Sequence, residues 1–278
     1  MNWTDLTLFT DASHQPFLWP GGQPAALLVH GFPGTPAELR PLAHTLHAAG
    51  WTTHGLLLPG FGPDIGTLFT RDWPEWVAAA AAAIAALAQQ HQPLLLIGFS
   101  MGGAVLLNAV ARHEAALPTA GLVLLAPFWQ LGNRPQRAVY RLLKPLLRGI
   151  RPFKKADFAD PRLRAGLGGF LPELDLDDTA VQAMLRDFRI PARVFDNLLG
   201  IGRAAWQAAP RAALPTLVLQ GTADEVVRPA ATRRLLQRLP GPLTYRELPA
   251  AHDLLQPDAP GWAAVVAAVG EYGRLLTN

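Results

Sequence analysis

The sequence predicts an α/β fold in which helices cover both faces of a mostly parallel central sheet. Through residues 1–126, short apolar runs typical of buried strands alternate with helical segments. The same alternation returns over residues 211–278 and is lost over residues 127–210. We therefore predict a core formed by residues 1–126 and 211–278, with residues 127–210 inserted as a helical cap.

Composition limits the available chemistry. Half of the 278 residues are apolar, and cysteine is absent, which excludes disulfides, thiolate metal sites and cysteine nucleophiles. The N-terminus lacks a basic segment followed by an apolar run, so we expect a cytoplasmic protein. The net charge of +3 is uneven, since residues 127–210 hold 14 Lys and Arg against 8 Asp and Glu. No nucleic-acid-binding motif accompanies this excess, so we expect no nucleic-acid partner.

The predicted elements follow one another in order. Strands are predicted at residues 25–29, 51–59, 94–99, 121–126, 216–220 and 243–248. Helices are predicted after residue 35, from 72 to about 90, from residue 101, at 229–239 and at 261–276. Thr35 with Glu38, and Asp72 with Glu75, have the spacing of capping boxes. Residues 1–24 are expected to form an edge hairpin or arm.

A candidate nucleophile lies where a predicted strand turns sharply into a predicted helix. Residues 98–102 match G-x-S-x-G, in which a strained turn exposes the serine hydroxyl and glycines let neighbouring backbone come close. Ser100 is therefore the candidate nucleophile. The sequence holds one other serine, Ser13, in the irregular N-terminal arm. The alternative is a glycine-rich connection of an ordinary α/β protein.

A serine hydroxyl needs a base within hydrogen-bonding distance, usually a histidine. Two histidines follow Ser100 in the sequence. His113 lies further along the same predicted helix, more than three turns away at roughly 3.6 residues per turn, so it cannot reach back. His252 follows the last predicted strand, where parallel-sheet proteins place reactive side chains. We assign His252 as the base, the alternative being a surface histidine.

A third group should orient the imidazole ring. Asp224 follows the predicted strand at residues 216–220, at the same edge of the sheet. Glu225 and Asp253 are rivals. Asp253 adjoins the base, and neighbouring residues seldom face each other, whereas Glu225 should point away from Asp224. The alternative role for Asp224 is a helix cap.

Attack by serine on a carbonyl produces an oxyanion that needs two N–H donors. The N–H of Met101 lies beside the nucleophile at a helix N-terminus, where the helix dipole favours negative charge. The second candidate is the N–H of Phe32 in the loop at residues 30–34, because Pro33 has no N–H. The alternative for this loop is a plain strand–helix turn.

With these residues in place, the chain resembles the α/β-hydrolases, and among them bacterial carboxylesterases and monoacylglycerol lipases. The resemblance covers residues 27–38, 58–62 and 98–103 and the loops that carry Asp224 and His252. The chain order of nucleophile, acid and base is also the family's. By position, the resemblance implies as site residues Ser100, Asp224, His252 and the amides of Phe32 and Met101.

The resemblance also implies an activity. It implies hydrolysis of carboxylic esters of short or medium acyl chains, or of monoacylglycerols, through an acyl-enzyme, with no cofactor or metal. The same triad also serves C–C bond hydrolases, acyltransferases and peptidases, and some proteins of this fold are non-catalytic small-ligand receptors. Phe61 stands where the family more often has histidine and Ala251 where it more often has glycine. These departures bear on substrate choice.

The inserted segment has two further features. Its aromatic side chains could line an acyl pocket or form the cap's own core: Phe128, Trp129, Phe153, Phe158, Phe170, Phe188, Phe195 and Trp206. Basic residues recur at three- and four-residue spacing, with apolar residues mostly elsewhere around the predicted helix: Arg134, Arg137, Arg141, Lys144 and Arg148. They predict a solvated face, steering of acidic substrates or weak contact with an anionic membrane surface. The oligomeric state is left open.

Overall fold

The computed structural model of the chain describes residues 9–113, 117, 120–132, 134–144, 149–161, 163, 164, 167 and 174–277. Its centre is a seven-stranded sheet with the order β1-β3-β2-β4-β5-β6-β7. The strands are β1 (Phe17–Trp19), β2 (Ala25–Val29), β3 (Thr52–Leu56), β4 (Leu94–Phe99), β5 (Ala120–Leu125), β6 (Thr216–Gly221) and β7 (Leu243–Leu248). Strand β1 is antiparallel to β3, and every other neighbouring pair is parallel. The predicted mostly parallel sheet is confirmed.

Strand register brings the candidate loops to one edge of the sheet. Val29 at the end of β2 pairs with Gly98 near the end of β4, and Gly221 at the end of β6 pairs with Leu248 at the end of β7. Because these strands are parallel, the loops that follow them leave the same edge. All the predicted site residues belong to these loops or to the helix that starts there.

Helices flank the sheet on both sides. They are α1 (Arg40–Ala48), α2 (Trp73–Ala88), α3 (Met101–His113), α4 (Arg134–Leu143), α5 (Thr179–Asp187), α6 (Ala192–Ala208), α7 (Pro229–Leu236) and α8 (Trp262–Thr277). Short 3-10 segments, Pro36–Leu39 and Gly62–Thr70, precede α1 and α2. The core helices lie where the sequence predicts them, with ends shifted by a few residues.

One of the two predicted capping boxes is wrong. The box at the start of α2 is present, with both side-chain bonds formed. Before α1, Thr35 accepts a backbone hydrogen bond within its own turn, but the Glu38 carboxylate turns away from it to the N–H of Gly31. The first turn there is a 3-10 helix, and the irregular loop supplies an N–H in need of an acceptor.

Two buried apolar clusters cover the two faces of the sheet. Leu27 packs toward α2, α3 and α6, whereas its neighbour Leu28 packs toward α1 and α8. Successive residues of a strand point to opposite faces, which explains why β2 is apolar throughout. Helix α6 shares the first cluster through Leu198 and Ile201 and contacts α3.

The inserted segment has a small core of its own. Phe158, Leu176 and Leu185 are buried together with Phe9 from the N-terminal arm. The rings of Phe153 and Phe188 stack at 6.4 Å, and those of Trp129 and Trp206 stack at 4.3 Å. The cap-core interpretation therefore fits Phe153 and Phe158, whereas Phe128, Trp129 and Trp206 pack against the main core. Phe170 lies outside the described residues. The boundary of the cap at residues 127–210 stays a proposal, since α6 packs directly on the core.

Helix α4 carries part of the predicted basic pattern. Lys144, just after it, forms a 2.8 Å ion pair with Asp196. On α4 itself, Val139 and Leu142 are 55% and 77% exposed. Arg148 lies outside the described residues. Within the part of the chain that is described, no helix combines the length and apolar character needed to cross a membrane.

Candidate active site

The turn between β4 and α3 holds Ser100 in a strained conformation. Its φ of +49° lies in the left-handed region, which serine seldom adopts. The Ser100 N–H donates to the Leu125 carbonyl at 2.8 Å, and its own carbonyl accepts from the N–H groups of Gly103 and Phe128 at 3.1 Å each. These three main-chain bonds hold the turn that presents the hydroxyl.

The glycines of the G-x-S-x-G motif allow this turn to pack tightly. A Cβ atom on Gly98 would lie 2.6 Å from the Gly103 nitrogen. A Cβ atom on Gly102 would overlap the carbonyl oxygen of Val29 at the end of β2. The nucleophile turn therefore packs backbone against backbone on the strand that leads into the Phe32 loop.

The structure brings the three predicted side chains together. His252 Nε2 lies 3.1 Å from Ser100 Oγ, and His252 Nδ1 lies 2.8 Å from Asp224 Oδ2. Because a carboxylate only accepts, Nδ1 carries the proton and Nε2 is free to accept the serine proton. The Asp224 side chain is fully buried, whereas the His252 side chain is 22% exposed. The arrangement can activate the hydroxyl of Ser100.

The carboxylate of Asp224 accepts four hydrogen bonds. Oδ2 accepts from His252 and from Gln220 Nε2 at 2.9 Å. Oδ1 accepts from the backbone N–H groups of Val226 and Val227 at 2.9 and 2.7 Å. One oxygen of Asp224 therefore accepts backbone N–H groups, as the alternative of a helix cap predicts, while the other oxygen accepts from the imidazole.

Gln220 is a supporting residue that the sequence reasoning missed. It is buried in β6, and its Nε2 also donates to the Val227 carbonyl at 2.9 Å. Its Oε1 accepts from the Thr232 hydroxyl at 2.5 Å. A lone amide at the end of an apolar strand was the signal in the sequence. The rivals Glu225 and Asp253 are exposed, and neither has a hydrogen bond to His252 among the described residues.

The two candidate oxyanion amides lie on adjacent strand ends. Met101 is the first residue of α3, and Phe32 lies in the loop after β2. Over the described residues, no backbone acceptor is found for either N–H. Two N–H groups without protein acceptors, one at a helix N-terminus, are suited to receive a developing negative charge.

His30 shapes the Phe32 loop as a neutral side chain. The Leu58 N–H donates to His30 Nε2 at 3.1 Å, so Nδ1 carries the proton and donates to the Gly31 carbonyl at 2.8 Å. The ring is fully buried, and this burial lowers the pKa of His30 to about 4. Phe61 packs edge-on against His30 and Phe32, with ring centroids 5.0 and 5.9 Å apart.

Glu38 is a second supporting residue, and the sequence analysis assigned it wrongly to a capping box. Its Oε1 accepts the Gly31 N–H at 2.5 Å. Burial raises the pKa of Glu38 to about 7, and the bond from Gly31 opposes this shift. A cavity of about 420 Å³ borders Glu38, Phe32, Phe99 and His252.

A larger cavity lies elsewhere. It measures about 1060 Å³ and is lined by Trp129, Trp206 and Arg234 among others, but by no residue of the Ser100, Asp224 and His252 set. Size alone does not make it the reaction site, since chemistry requires contact with the nucleophile and its base. Among the described residues, no group of three or more His, Asp or Glu side chains is placed to hold a metal ion.

Sequence comparison finds a matching family and named relatives. A family model described as serine aminopeptidase, S33, matches residues 23–256. A thermostable monoacylglycerol lipase of Bacillus sp. strain H-257 is 35% identical over 36% of this chain and 40% of its own length. A monoacylglycerol lipase of Mycolicibacterium smegmatis is 28% identical over 77% of this chain and 74% of its own.

Structure comparison extends over nearly the whole chain. A structure of the metagenome-derived lipolytic enzymes LipS and LipT superposes with a TM-score of 0.70 at 19% identity, covering 95% of this chain and 98% of the other. The monoacylglycerol lipase of Paleococcus ferrophilus superposes with a TM-score of 0.65 at 19% identity, covering 94% and 98%. At these identities the likeness shows a shared fold.

Proposed function

Because the chain belongs to the serine aminopeptidase, S33, family of α/β-hydrolases, we propose that it is a serine hydrolase of carboxylic esters. Its substrates would be monoacylglycerols or esters of short or medium acyl chains. The observation that carries this proposal is the hydrogen-bonded series from Ser100 through His252 to Asp224. Two relatives named monoacylglycerol lipases favour an ester over an amide, although the matched part is 40% of the Bacillus enzyme.

In the proposed acylation, Ser100 Oγ attacks the ester carbonyl carbon while its proton passes to His252 Nε2. Asp224 accepts the Nδ1–H bond of the resulting imidazolium. The carbonyl oxygen becomes an oxyanion, stabilised by the N–H groups of Phe32 and Met101. When the bond to the alcohol breaks, His252 returns the proton to the leaving oxygen, and an acyl ester of Ser100 remains.

Deacylation repeats these steps with water. His252 Nε2 takes a proton from water, and the hydroxide oxygen attacks the acyl carbon. The same two amides stabilise the second oxyanion. The bond to Ser100 Oγ then breaks, the proton returns to the serine, and the carboxylic acid leaves. Atoms and charge balance without a cofactor or a metal.

Substitution of the nucleophile tests this proposal. We expect Ser100→Ala to lower turnover of p-nitrophenyl butyrate and octanoate by roughly 10⁴-fold or more. Ser13→Ala is the matched control, because it removes the other serine, and its rates should equal those of the wild type. A fluorophosphonate should label the wild type and Ser13→Ala but not Ser100→Ala. Turnover by Ser100→Ala within tenfold of the wild type would reject the proposal.

A second series separates esters from the alternatives. Rates are measured for p-nitrophenyl esters of increasing chain length, for monoacylglycerols and for an aminoacyl p-nitroanilide. Faster cleavage of the anilide would favour the peptidase that the family description names. Labelling of Ser100 without turnover of any of these compounds would favour a ligand-binding protein. The cytoplasmic location and weak membrane contact through α4 stay expectations.

A further inference from the structure

The peptide groups on either side of Gly31 are each held by a different side chain. The Gly31 carbonyl accepts from His30 Nδ1 at 2.8 Å, and the Gly31 N–H donates to Glu38 Oε1 at 2.5 Å. A peptide group is planar, so the Gly31 carbonyl and the Phe32 N–H point in opposite directions from one rigid unit. The His30 bond therefore sets the direction of the Phe32 N–H, and the Glu38 bond holds the preceding peptide group, to which that unit is joined at the Gly31 Cα atom.

Gly31 makes such hydrogen bonds necessary. Glycine has wide freedom in φ and ψ, so the two peptide groups that it joins can rotate independently. A larger residue would restrict this freedom, but a Cβ atom here would lie 3.2 Å from both Ser100 Cβ and Phe99 Cδ1. The close packing against Ser100 disfavours a larger residue here, and the glycine loop is restrained by hydrogen bonds instead.

Glu38 supplies this restraint from a rigid turn. It lies in the 3-10 segment Pro36–Leu39, which is capped by Thr35, whose side chain accepts the Ala37 N–H at 3.3 Å. The Thr35 hydroxyl also lies 2.8 Å from His14 Nδ1, and Leu39 is fully buried. The carboxylate is therefore held at its base when it reaches back across the loop to Gly31.

We propose that Glu38 is a positioning residue of the oxyanion hole, which anchors the peptide group before Gly31 and so fixes the point from which the Gly31–Phe32 peptide, with its N–H, continues. The inference rests on the proposed ester hydrolysis. Glu38 acts through the backbone, and an ionised carboxylate forms a stronger bond to an N–H than a neutral carboxyl does. Protonation of Glu38 should loosen the loop and lower the rate of the chemical step.

The surroundings of Glu38 bear on this pH dependence. Burial places its pKa at about 7, within the range over which activity is measured. The titratable groups that face it or its loop come from three other segments: His14, His30, His252 and Asp253. The His30 ring stays neutral because burial lowers its pKa to about 4. The wild-type rate should therefore rise with pH as Glu38 ionises.

Three variants test the proposal. Glu38→Ala removes the acceptor, and we expect kcat to fall about 10- to 100-fold with KM changed by less than about threefold, because an oxyanion contact acts in the transition state. Glu38→Gln keeps an oxygen acceptor without a charge, and its kcat above pH 8 should stay within about fivefold of the wild type. Glu271→Gln, whose side chain pairs with Arg246 on the surface, is the matched control.

The pH profile provides the second readout. An ionisation near pH 7 should contribute to the rise of kcat/KM with pH in the wild type and in Glu271→Gln, and should be absent from Glu38→Gln. A Glu38→Gln profile that superposes on the wild type, or a Glu38→Ala kcat within twofold of the wild type, would overturn the proposal. If Glu38→Ala does not fold, the Glu38→Gln profile decides. A Ser100→Ala enzyme that stays active would instead refute the ester hydrolase itself.

Discussion

Two sides of the candidate site are built in different ways. The acid–base side consists of residues 220–232 and His252, and the oxyanion side consists of residues 30–38 and Met101. On the acid–base side, the groups proposed to react are side chains, and buried Asp224 is held by four donors. On the oxyanion side, the groups proposed to act are main-chain amides, and the polar side chains His30 and Glu38 hold the loop of one of them through hydrogen bonds to Gly31.

This difference affects how each side responds to its surroundings. His30 and Glu38, which hold the oxyanion side, are both desolvated, and burial moves their pKa values in opposite directions, to about 4 and about 7. Desolvation disfavours the charged form in each case. The backbone on this side is thus held by a neutral imidazole and by a carboxyl group that ionises near pH 7.

The largest effect should come from the acid–base side. Asp224→Asn should lower kcat by roughly 10⁴-fold, because an amide can donate to Nδ1 and so favour the wrong tautomer of His252. Asp253→Asn is the matched control, and steady-state kinetics with p-nitrophenyl butyrate should find its kcat within threefold of the wild type. Equal losses in both variants would mean that Asp253 shares the orienting role.

The next effect is on stability and comes from the oxyanion side. Since the folded-state pKa of His30 is lowered to about 4, the folded chain binds fewer protons than the unfolded chain between that pH and about 6.5. The contribution of His30 to the free energy of unfolding is fully present above pH 6.5. It is lost as the pH falls through 4, and the loss amounts to up to roughly 3 kcal/mol.

Urea unfolding at pH 4.5 and 7 measures this loss. The difference in unfolding free energy between the two pH values should shrink in His30→Gln and persist in the control His44→Gln, which changes an exposed histidine. The comparison uses the pH difference within each variant, so a general loss of stability in His30→Gln does not affect it. If the pH difference in His30→Gln equals that of the wild type, folding does not lower the pKa of His30.

A smaller effect should come from the support of Asp224. Gln220→Leu removes the acceptor of the Thr232 hydroxyl and one of the two donors to Asp224 Oδ2, at a cost of about 1–3 kcal/mol in unfolding free energy. Asp224 keeps its bonds from His252 and the backbone, so kcat should fall only about tenfold. Chemical denaturation and steady-state rates measure both quantities. A loss as large as that of Asp224→Asn would place Gln220 among the orienting groups.

The smallest effect should come from a region that belongs to neither side. Leu142 on α4 is 77% exposed, so Leu142→Gln should change the unfolding free energy by less than about 0.5 kcal/mol. Ester hydrolysis should stay within twofold of the wild type. Sedimentation with anionic vesicles at low salt tests the expected membrane contact, which predicts weaker binding by this variant. Equal vesicle binding by Leu142→Gln and the wild type would contradict a lipid contact through Leu142 on α4.

The sequence predicted the acid–base side better than the oxyanion side. Two serines and two downstream histidines left few choices for nucleophile and base, and strand ends placed Asp224 between them. Glu38 was assigned to a capping box because its spacing from Thr35 is a local pattern. Its partner, Gly31, lies seven positions earlier across an irregular loop, and local periodicity carries no information on such a contact.

The inserted segment was harder to predict for a related reason. Its helices pack partly on one another and partly on the core, and the apolar face of a helix does not indicate which of the two it contacts. Helix α6 shows this, since Ile201 belongs to the main core although the loss of alternation predicted a separate cap. Gln220 was passed over because burial of an amide becomes acceptable only through partners distant in sequence, such as Thr232.

The hydrogen bond from the Phe128 N–H to the Ser100 carbonyl has a practical consequence for protein engineering. The first residues after β5 restrain the main chain of Ser100, although they lie at the start of the segment that would be exchanged to alter selectivity. A chimera that receives a foreign lid should therefore be joined beyond Phe128. A junction before Phe128 would exchange the lid and, with it, the residue that donates one of the three main-chain hydrogen bonds to Ser100.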